Sequence, residues 1–208
     1  TVNPTPADVV LNFSNLGGCT SSILPDDSPV LPLTYTGGND PNRKLINEHF
    51  NSTVPPAGWT FINNSTLGTP ADAAWTQRQN NYVYGSAFVT NDGTPFMLSN
   101  SDDQGSGSTT ATIMMYDNGG AGFDTRGFLT GNIILWHHYQ HITGDAARVE
   151  YSVSGVGGPW VAVQTYTSNQ GTRTSFSNAV IPMPAGMLNQ PNVMLRFKYD
   201  ATFGWWWA

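Results

Sequence analysis

The chain is poor in charged residues and in cysteine. Only 11% of its 208 residues are charged, against about a quarter in typical domains, and Cys19 is its one cysteine. A single cysteine excludes an internal disulfide framework. The net charge of −6 argues against a nucleic-acid partner, because phosphate backbones require a basic surface. No run of about 18 apolar residues occurs, so we expect no membrane span.

Glutamate is also scarce, since only Glu48 and Glu150 are present. Helix surfaces are normally built from Glu, Lys, Gln and Arg, so the chain has little material for helices. Its polarity comes from hydroxyls and amides, and 12% of its residues are aromatic. Thr, Val and aromatic residues favour strands, whereas Gly, Asn, Asp and Pro favour turns. The composition therefore predicts an all-β module that is secreted or displayed at a cell surface.

Residues 1–40 differ from the rest of the chain. They carry two Pro- or Gly-marked breaks, Thr1–Pro6 and Gly37–Pro41, around two strand-like segments, Val9–Phe13 and Val30–Tyr35. This region is either a linker or the end of a preceding Ig-like module. Residues 41–208 alternate short strands with turn signals, as in a sandwich or barrel. The predicted strands are Leu45–Phe50, Trp59–Ile62, Trp75–Arg78, Tyr82–Val89, Met97–Asn100, Thr110–Tyr116, Ile133–His141, Arg148–Val153, Trp160–Tyr166, Thr174–Ile181 and Val193–Tyr199.

Three histidines, His137, His138 and His141, suggest a zinc site or a hydrolase centre. On a helix, His137 and His141 would share a face, but the metalloprotease Glu is missing between them. The surrounding residues favour a strand, where side chains four residues apart lie about 13 Å from each other. One zinc ion cannot reach both nitrogens at about 2.1 Å. We therefore favour a structural role for these histidines and predict no catalytic residue, with a hydrolase as the less favoured alternative.

The polar segment after the predicted strand Met97–Asn100 has part of a calcium-loop spacing. Asn100, Asp102, Gln104 and Gly105 match the first half of an EF-hand loop, but Ala111 stands where the bidentate Glu is required. A complete EF-hand is excluded. The segment is therefore either a solvated turn or part of a calcium site that takes further oxygens from elsewhere. Glu48 is likewise either a residue facing water or a carboxylate with a fixed partner.

The chain ends with three adjacent tryptophans, Trp205, Trp206 and Trp207. Neighbouring residues of a strand point to opposite faces, so one set should lie in the core and the other should be exposed. An exposed tryptophan surface is suited to stacking against sugar rings or to packing against a partner. We predict Trp206 and Tyr139 as the ligand-binding aromatic residues.

Short motifs follow one another from Glu48 to the end of the chain. They are Glu48–Asn63 (EHFNSTVPPAGWTFIN), Trp75, Ser99–Asp102, Phe128–Thr130 with Ile134–Tyr139, Val149–Ser152 with Gly157–Trp160, and Asn192–Tyr199 with Gly204–Ala208. In this order they resemble the cleaved-adhesin and choice-of-anchor J modules, which are MAM-like jelly rolls of secreted Bacteroidetes-type proteins. The resemblance covers roughly residues 45–208.

This resemblance implies an antiparallel jelly-roll β-sandwich without catalytic residues, often stabilised by calcium. Carried over by position, Glu48, Asp102, Asp103 and Asp200 would be the metal ligands, with Asn100 added from the loop spacing. The family's last motif continues into a further strand. We therefore expect residues 41–208 to be a jelly-roll domain that is cut short of its last strand.

The sequence as a whole predicts a non-catalytic module of a larger exported protein. Its expected role is adhesion or attachment to glycans, with calcium as the expected ion and a glycan or a host or neighbouring cell surface as the partner. The alternative is a structural spacer, or a cargo that contacts a type IX-like export machinery.

Overall fold

The computed structural model describes residues 44–208, which belong to one compact unit. The predictions for residues 1–40, including Val9–Phe13 and Val30–Tyr35, lie outside the described residues. Within residues 44–208, no helix is both long enough and apolar enough to cross a membrane.

The described residues form an all-β structure with antiparallel sheets. Two single-turn helices are present, α1 (Pro70–Ala73) and α2 (Ser101–Gln104), with 3₁₀ turns at Asn118–Gly120 and Ala185–Met187. The strands are β1 (Trp59–Asn63), β2 (Thr76–Arg78), β3 (Val83–Tyr84), β4 (Ser86–Ala87), β5 (Phe96–Asn100), β6 (Thr109–Tyr116), β7 (Asn132–His137), β8 (Tyr139–Gln140), β9 (Ala146–Ser152), β10 (Val161–Tyr166), β11 (Ser177–Pro182), β12 (Met194–Thr202) and β13 (Trp206–Trp207).

The largest sheet has five strands in the order β1-β6-β12-β9-β10. Its centre is β12, which pairs with β6 from Leu195 to Thr202 and with β9 from Met194 to Asp200. Side chains alternate along these strands, so that Val149, Phe197 and Tyr199 are buried on one face. The sequence favours this arrangement because β-branched and aromatic residues fit a pleated, half-buried surface.

Further strands pack against that buried face. The strands β2, β5, β13 and β8 form a four-stranded sheet in that order, and β7 pairs with β11. Phe197 of β12 meets Trp207 of β13 with ring centroids 5.9 Å apart, and Tyr199 meets Tyr139 of β8 at 6.0 Å. These contacts place the main core between the five-stranded sheet and the four-stranded sheet.

The opposite, outer face of the four-stranded sheet is covered as well. Phe96 and Leu98 of β5 point to this face, whereas Met97 between them points into the main core. The β3–β4 hairpin and Phe176 cover the outer face, and together with Phe88 and Trp206 they form a second apolar cluster. The outer face of this sheet is therefore a buried aromatic layer and not a surface.

Most of the predicted strands are present, but Ile133–His141 is divided at His138 into β7 and β8, which belong to different sheets, and two further predictions are wrong. Leu45–Phe50 is not a strand: Phe50 has a φ of +52°, and an L-residue in that region interrupts an extended chain. Tyr82–Val89 is not one strand but a tight hairpin that turns at Gly85, where φ is +71°. The all-β class is confirmed, while the jelly-roll connectivity stays a prediction.

Candidate functional site

The predicted metal-binding segment forms a helical turn in which two of the predicted ligands, Asn100 and Asp102, have protein partners. Asn100 is buried, and its side chain caps α2 by accepting a hydrogen bond from the Asp103 backbone N–H at 3.4 Å. The Tyr84 hydroxyl donates to Asp102 Oδ2 at 2.8 Å. Burial, followed by this hydrogen bond, raises the pKa of Tyr84 to about 12. The turn therefore ties the β3–β4 hairpin to the end of β5.

Glu48 and Asp200 have other partners. Glu48 accepts a hydrogen bond from the Phe50 backbone N–H at 2.5 Å within its own irregular segment. Asp200 pairs on the five-stranded sheet with Arg148 and with Lys198, whose Nζ lies 2.9 Å from its Oδ2. Across residues 44–208, no three His, Cys, Asp or Glu side chains are placed to hold one ion. The described residues therefore do not bring three of Glu48, Asp102, Asp103 and Asp200 together as one group, and the calcium site stays a prediction.

The prediction that Trp206 and Tyr139 present their rings on the surface is wrong. Both side chains are fully buried. Trp207 and Trp206 do point to opposite faces of β13, as strand geometry requires, but Trp206 lies under the β3–β4 hairpin in the second apolar cluster. Tyr139 points into the main core, where its ring meets Tyr199. Both faces of this strand are covered, so these rings have structural roles.

The three histidines lie on an extended chain, and adjacent ones point in opposite directions. Trp207 Nε1 donates to His137 Nδ1 at 3.1 Å in the main core. His138 packs among Phe88, Phe176 and Trp206, and its Nδ1 lies 3.1 Å from the Gln170 carbonyl oxygen. The Tyr139 hydroxyl lies 3.2 Å from His141 Nδ1. The backbone of this segment is therefore extended, as predicted, and His137 and His141 do not share the face of a helix.

A groove of about 310 Å³ lies beside His138, within the size range of small ligand sites. Its walls come from the β8 strand and from the loop before β11. The lining residues are His138, Gln140, Asn169, Gly171, Thr172 and Arg173. Five of the six bring amide, hydroxyl, imidazole or guanidinium groups, so the groove offers hydrogen bonds in several directions.

Backbone contacts fix the loop that forms one wall. Gln170 and Tyr139 exchange backbone hydrogen bonds of 2.8 and 2.9 Å, and Asn169 Oδ1 accepts from the His141 N–H at 2.8 Å. Gly171 has a φ of +61°, and a Cβ there would lie 2.6 Å from the Ser177 nitrogen. Only glycine lets the loop approach the backbone of the neighbouring strand this closely. The bond to His141 uses the Asn169 oxygen, and the Asn169 amide nitrogen has no hydrogen-bond acceptor among the described residues.

An exposed apolar patch lies on the β7–β11 pair. Trp136 of β7 is 54% exposed, and Ile134 and Val180, which pair across β7 and β11, are 62% and 56% exposed. Trp136 precedes the groove residue His138 by two positions in the chain, which corresponds to about 7 Å along an extended backbone.

Arg173 is the one full charge among the described residues that line the groove. Its guanidinium carbon lies 4.2 Å above the centroid of the Trp206 ring. Its Nη1 donates to the Tyr84 carbonyl oxygen and, at 3.0 Å, to Ser86 Oγ. These contacts hold the guanidinium in one place between the hairpin and the loop.

Sequence reasoning missed Trp136, Gln140, Asn169, Thr172 and Arg173. The sequence does contain one indication for Trp136, because adjacent residues of a strand, here Trp136 and His137, point to opposite faces. If His137 is buried, Trp136 must be exposed or covered by another segment. No local signal marks the groove residues of the loop, since only folding brings 169–173 next to β8.

No protein-family model matches this chain, and no curated protein matches it. The resemblance to cleaved-adhesin and choice-of-anchor J modules therefore stays a prediction.

Proposed function

We propose that residues 44–208 form a non-catalytic, carbohydrate-binding module that acts outside the cell in adhesion or glycan attachment. The observation that carries the proposal is the polar groove of His138, Gln140, Asn169, Thr172 and Arg173, together with the exposed Trp136 two residues before His138. The low charge of the chain, 11% of residues, agrees with an extracellular module.

The chemistry of this surface suits a saccharide. A sugar ring has apolar C–H faces, which pack on an indole, and hydroxyl edges, which need donors and acceptors in the same plane. Trp136 supplies the apolar contact. Gln140, Thr172 and the Asn169 amide supply donors and acceptors at the groove edge. An apolar partner surface would leave these polar groups without hydrogen bonds, which costs free energy.

The environment of the histidines supports binding over hydrolysis. Their ring nitrogens meet the Trp207 indole, the Gln170 carbonyl and the Tyr139 hydroxyl, respectively. A catalytic histidine is normally oriented by a carboxylate and lies within reach of a nucleophile. His137 and His138 are also buried, and burial lowers the pKa of both.

Binding to a panel of soluble polysaccharides, measured by affinity electrophoresis and isothermal titration calorimetry, tests the proposal. We expect at least one polysaccharide to bind, and Trp136→Ala to weaken that binding about tenfold or more. The control is Val161→Ala, because Val161 is also an exposed apolar residue but lies on β10 of the five-stranded sheet.

If binding is unchanged in Trp136→Ala, the site is wrong. If no polysaccharide binds, the module is better explained as a spacer or export cargo. Turnover of polysaccharide, ester or peptide substrates would contradict the non-catalytic part of the proposal.

A further inference from the structure

Arg173 lacks the carboxylate partner that four other described basic side chains have. Arg126, Arg148, Arg196 and Lys198 each pair with a carboxylate, at Asp124, Asp200, Glu150 and Asp200 respectively. Within residues 44–208, Arg173 has no carboxylate within ion-pair distance, and neither have Lys44 and Arg78, but only Arg173 lines the groove, where no described Asp or Glu is present. In this protein of net charge −6, the described residues thus give the Arg173 charge no ion-pair partner.

The position of this charge is nevertheless fixed. The guanidinium lies over the Trp206 ring and 5.2 Å from the Phe88 centroid. Its Nη1 is used by Tyr84 and Ser86, while Nε and Nη2 make no hydrogen bond within residues 44–208. A Cβ on Gly85 would lie 3.1 Å from Nη1, so the hairpin closes tightly around this group. A preorganised guanidinium with unused N–H groups is suited to a planar acidic group.

We propose that the groove selects acidic saccharides, with Arg173 binding a sugar carboxylate or sulfate ester while Trp136 stacks on the ring. This inference rests on the proposed function, because it names the class of saccharide for the same site. The overall negative charge of the protein repels polyanions. A preference for acidic over neutral polysaccharide therefore requires a local cation, and Arg173 is the cation in the groove.

The test compares polysaccharides that differ only in their acidic groups. Polygalacturonate is paired with its methyl-esterified form, and dextran sulfate is paired with dextran. Calorimetry with the wild-type chain should show about tenfold tighter binding of at least one acidic polymer than of its neutral partner. The two pairs distinguish carboxylate from sulfate recognition.

Variants then assign the preference to Arg173. Arg173→Gln should remove the preference, so that the acidic polymer and its neutral partner bind the variant with similar affinity. Arg173→Lys, which keeps the charge but not the planar fork, should retain only part of the preference. The control Arg126→Gln, which changes an exposed arginine paired with Asp124, should behave as wild type.

The outcomes separate this inference from the proposed function. Equal binding of acidic and neutral polymers by the wild type would overturn the selectivity but leave carbohydrate binding intact. A preference that survives in Arg173→Gln, with the fold verified by circular dichroism, would overturn the role of Arg173. Absence of binding to every polymer would overturn both proposals.

Discussion

Arg173 lies across the face of Trp206, with its guanidinium carbon 4.2 Å from the ring centroid. The contact joins three segments that are distant in sequence, because the same guanidinium also bonds to the β3–β4 hairpin at Tyr84 and Ser86. Trp206 therefore supports the groove from below, while Trp136 stays at the surface. The two tryptophans should respond differently to substitution.

Replacement of Trp206 by alanine should destabilise the fold by about 3–5 kcal/mol, because it removes a fully buried indole. Trp136→Ala should cost less than about 1 kcal/mol, since Trp136 is 54% exposed. Urea unfolding followed by tryptophan fluorescence and circular dichroism measures both. Equal losses in the two variants would contradict the assignment of one tryptophan to the core and the other to the surface.

Gly171→Ala should destabilise the protein by at least about 1 kcal/mol, because the new Cβ would meet the Ser177 nitrogen and φ is positive. It should also weaken polysaccharide binding, since Gly171 lines the groove and its Cβ would push the groove loop away from Ser177 and the His137 carbonyl. Gly155→Ala is the matched control: Gly155 has a φ of +94° but open space around its Cβ. A larger loss of binding in Gly155→Ala than in Gly171→Ala would be inconsistent with the proposed groove.

His137 should make folding stability depend on pH. Burial, followed by repulsion from His138, lowers the pKa of His137 to about 4 from its ordinary value of 6.5. The unfolded chain then binds more protons between these values, so stability is fully present above pH 6.5 and falls as the pH drops toward 4. A shift of this size corresponds to about 3 kcal/mol.

Urea unfolding at a series of pH values checks this expectation. His137→Asn keeps an acceptor for the Trp207 indole N–H but has no titrating ring. Its stability should therefore fall less steeply than that of the wild type over the same pH range. Parallel pH profiles for the two proteins would rule out His137 as the titrating group.

Tyr84→Phe should destabilise the hairpin by about 1–2 kcal/mol, because the variant loses the 2.8 Å hydrogen bond to the Asp102 carboxylate. Tyr82→Phe is the matched control on the same segment, since the Tyr82 ring packs under Arg78 and its hydroxyl has no hydrogen bond in the described residues. Thermal unfolding of the two variants provides the comparison. A smaller effect at Tyr84 than at Tyr82 would disprove the contribution of the Tyr84–Asp102 bond.

The strands of the sheets were largely predictable because alternation is a local property. In β9, the apolar Val149 and Tyr151 alternate with Arg148 and Glu150, and the strand forms at that place. The end of the extended segment at Phe50 was not predictable. Phe50 has a positive φ, and its ring packs against the Trp59 ring with centroids 5.4 Å apart. That contact depends on the assembled sheet.

Trp206 shows why the burial of a predicted ligand-binding residue could not be read from the sequence. The alternation of side chains along a strand correctly gives opposite directions to Trp206 and Trp207, but it does not show what covers each face. Here the β3–β4 hairpin covers the outer face and the five-stranded sheet covers the inner face. The partners of Asp102 and Asp200 were likewise not predictable, because the sequence does not show that a tyrosine will bond to one carboxylate and an arginine to the other.

The sequence by itself determined the class of this protein: an all-β chain whose scarcity of Glu, Lys and Arg leaves little material for helices. Hydrophobic periodicity and residue composition are properties of the sequence itself, so they predict the secondary-structure class without knowledge of the tertiary contacts. Only the tertiary structure decided where a ligand could bind. The groove joins Gln140 to Arg173, and these residues meet because the loop at 169–173 folds back on β8 through long-range hydrogen bonds.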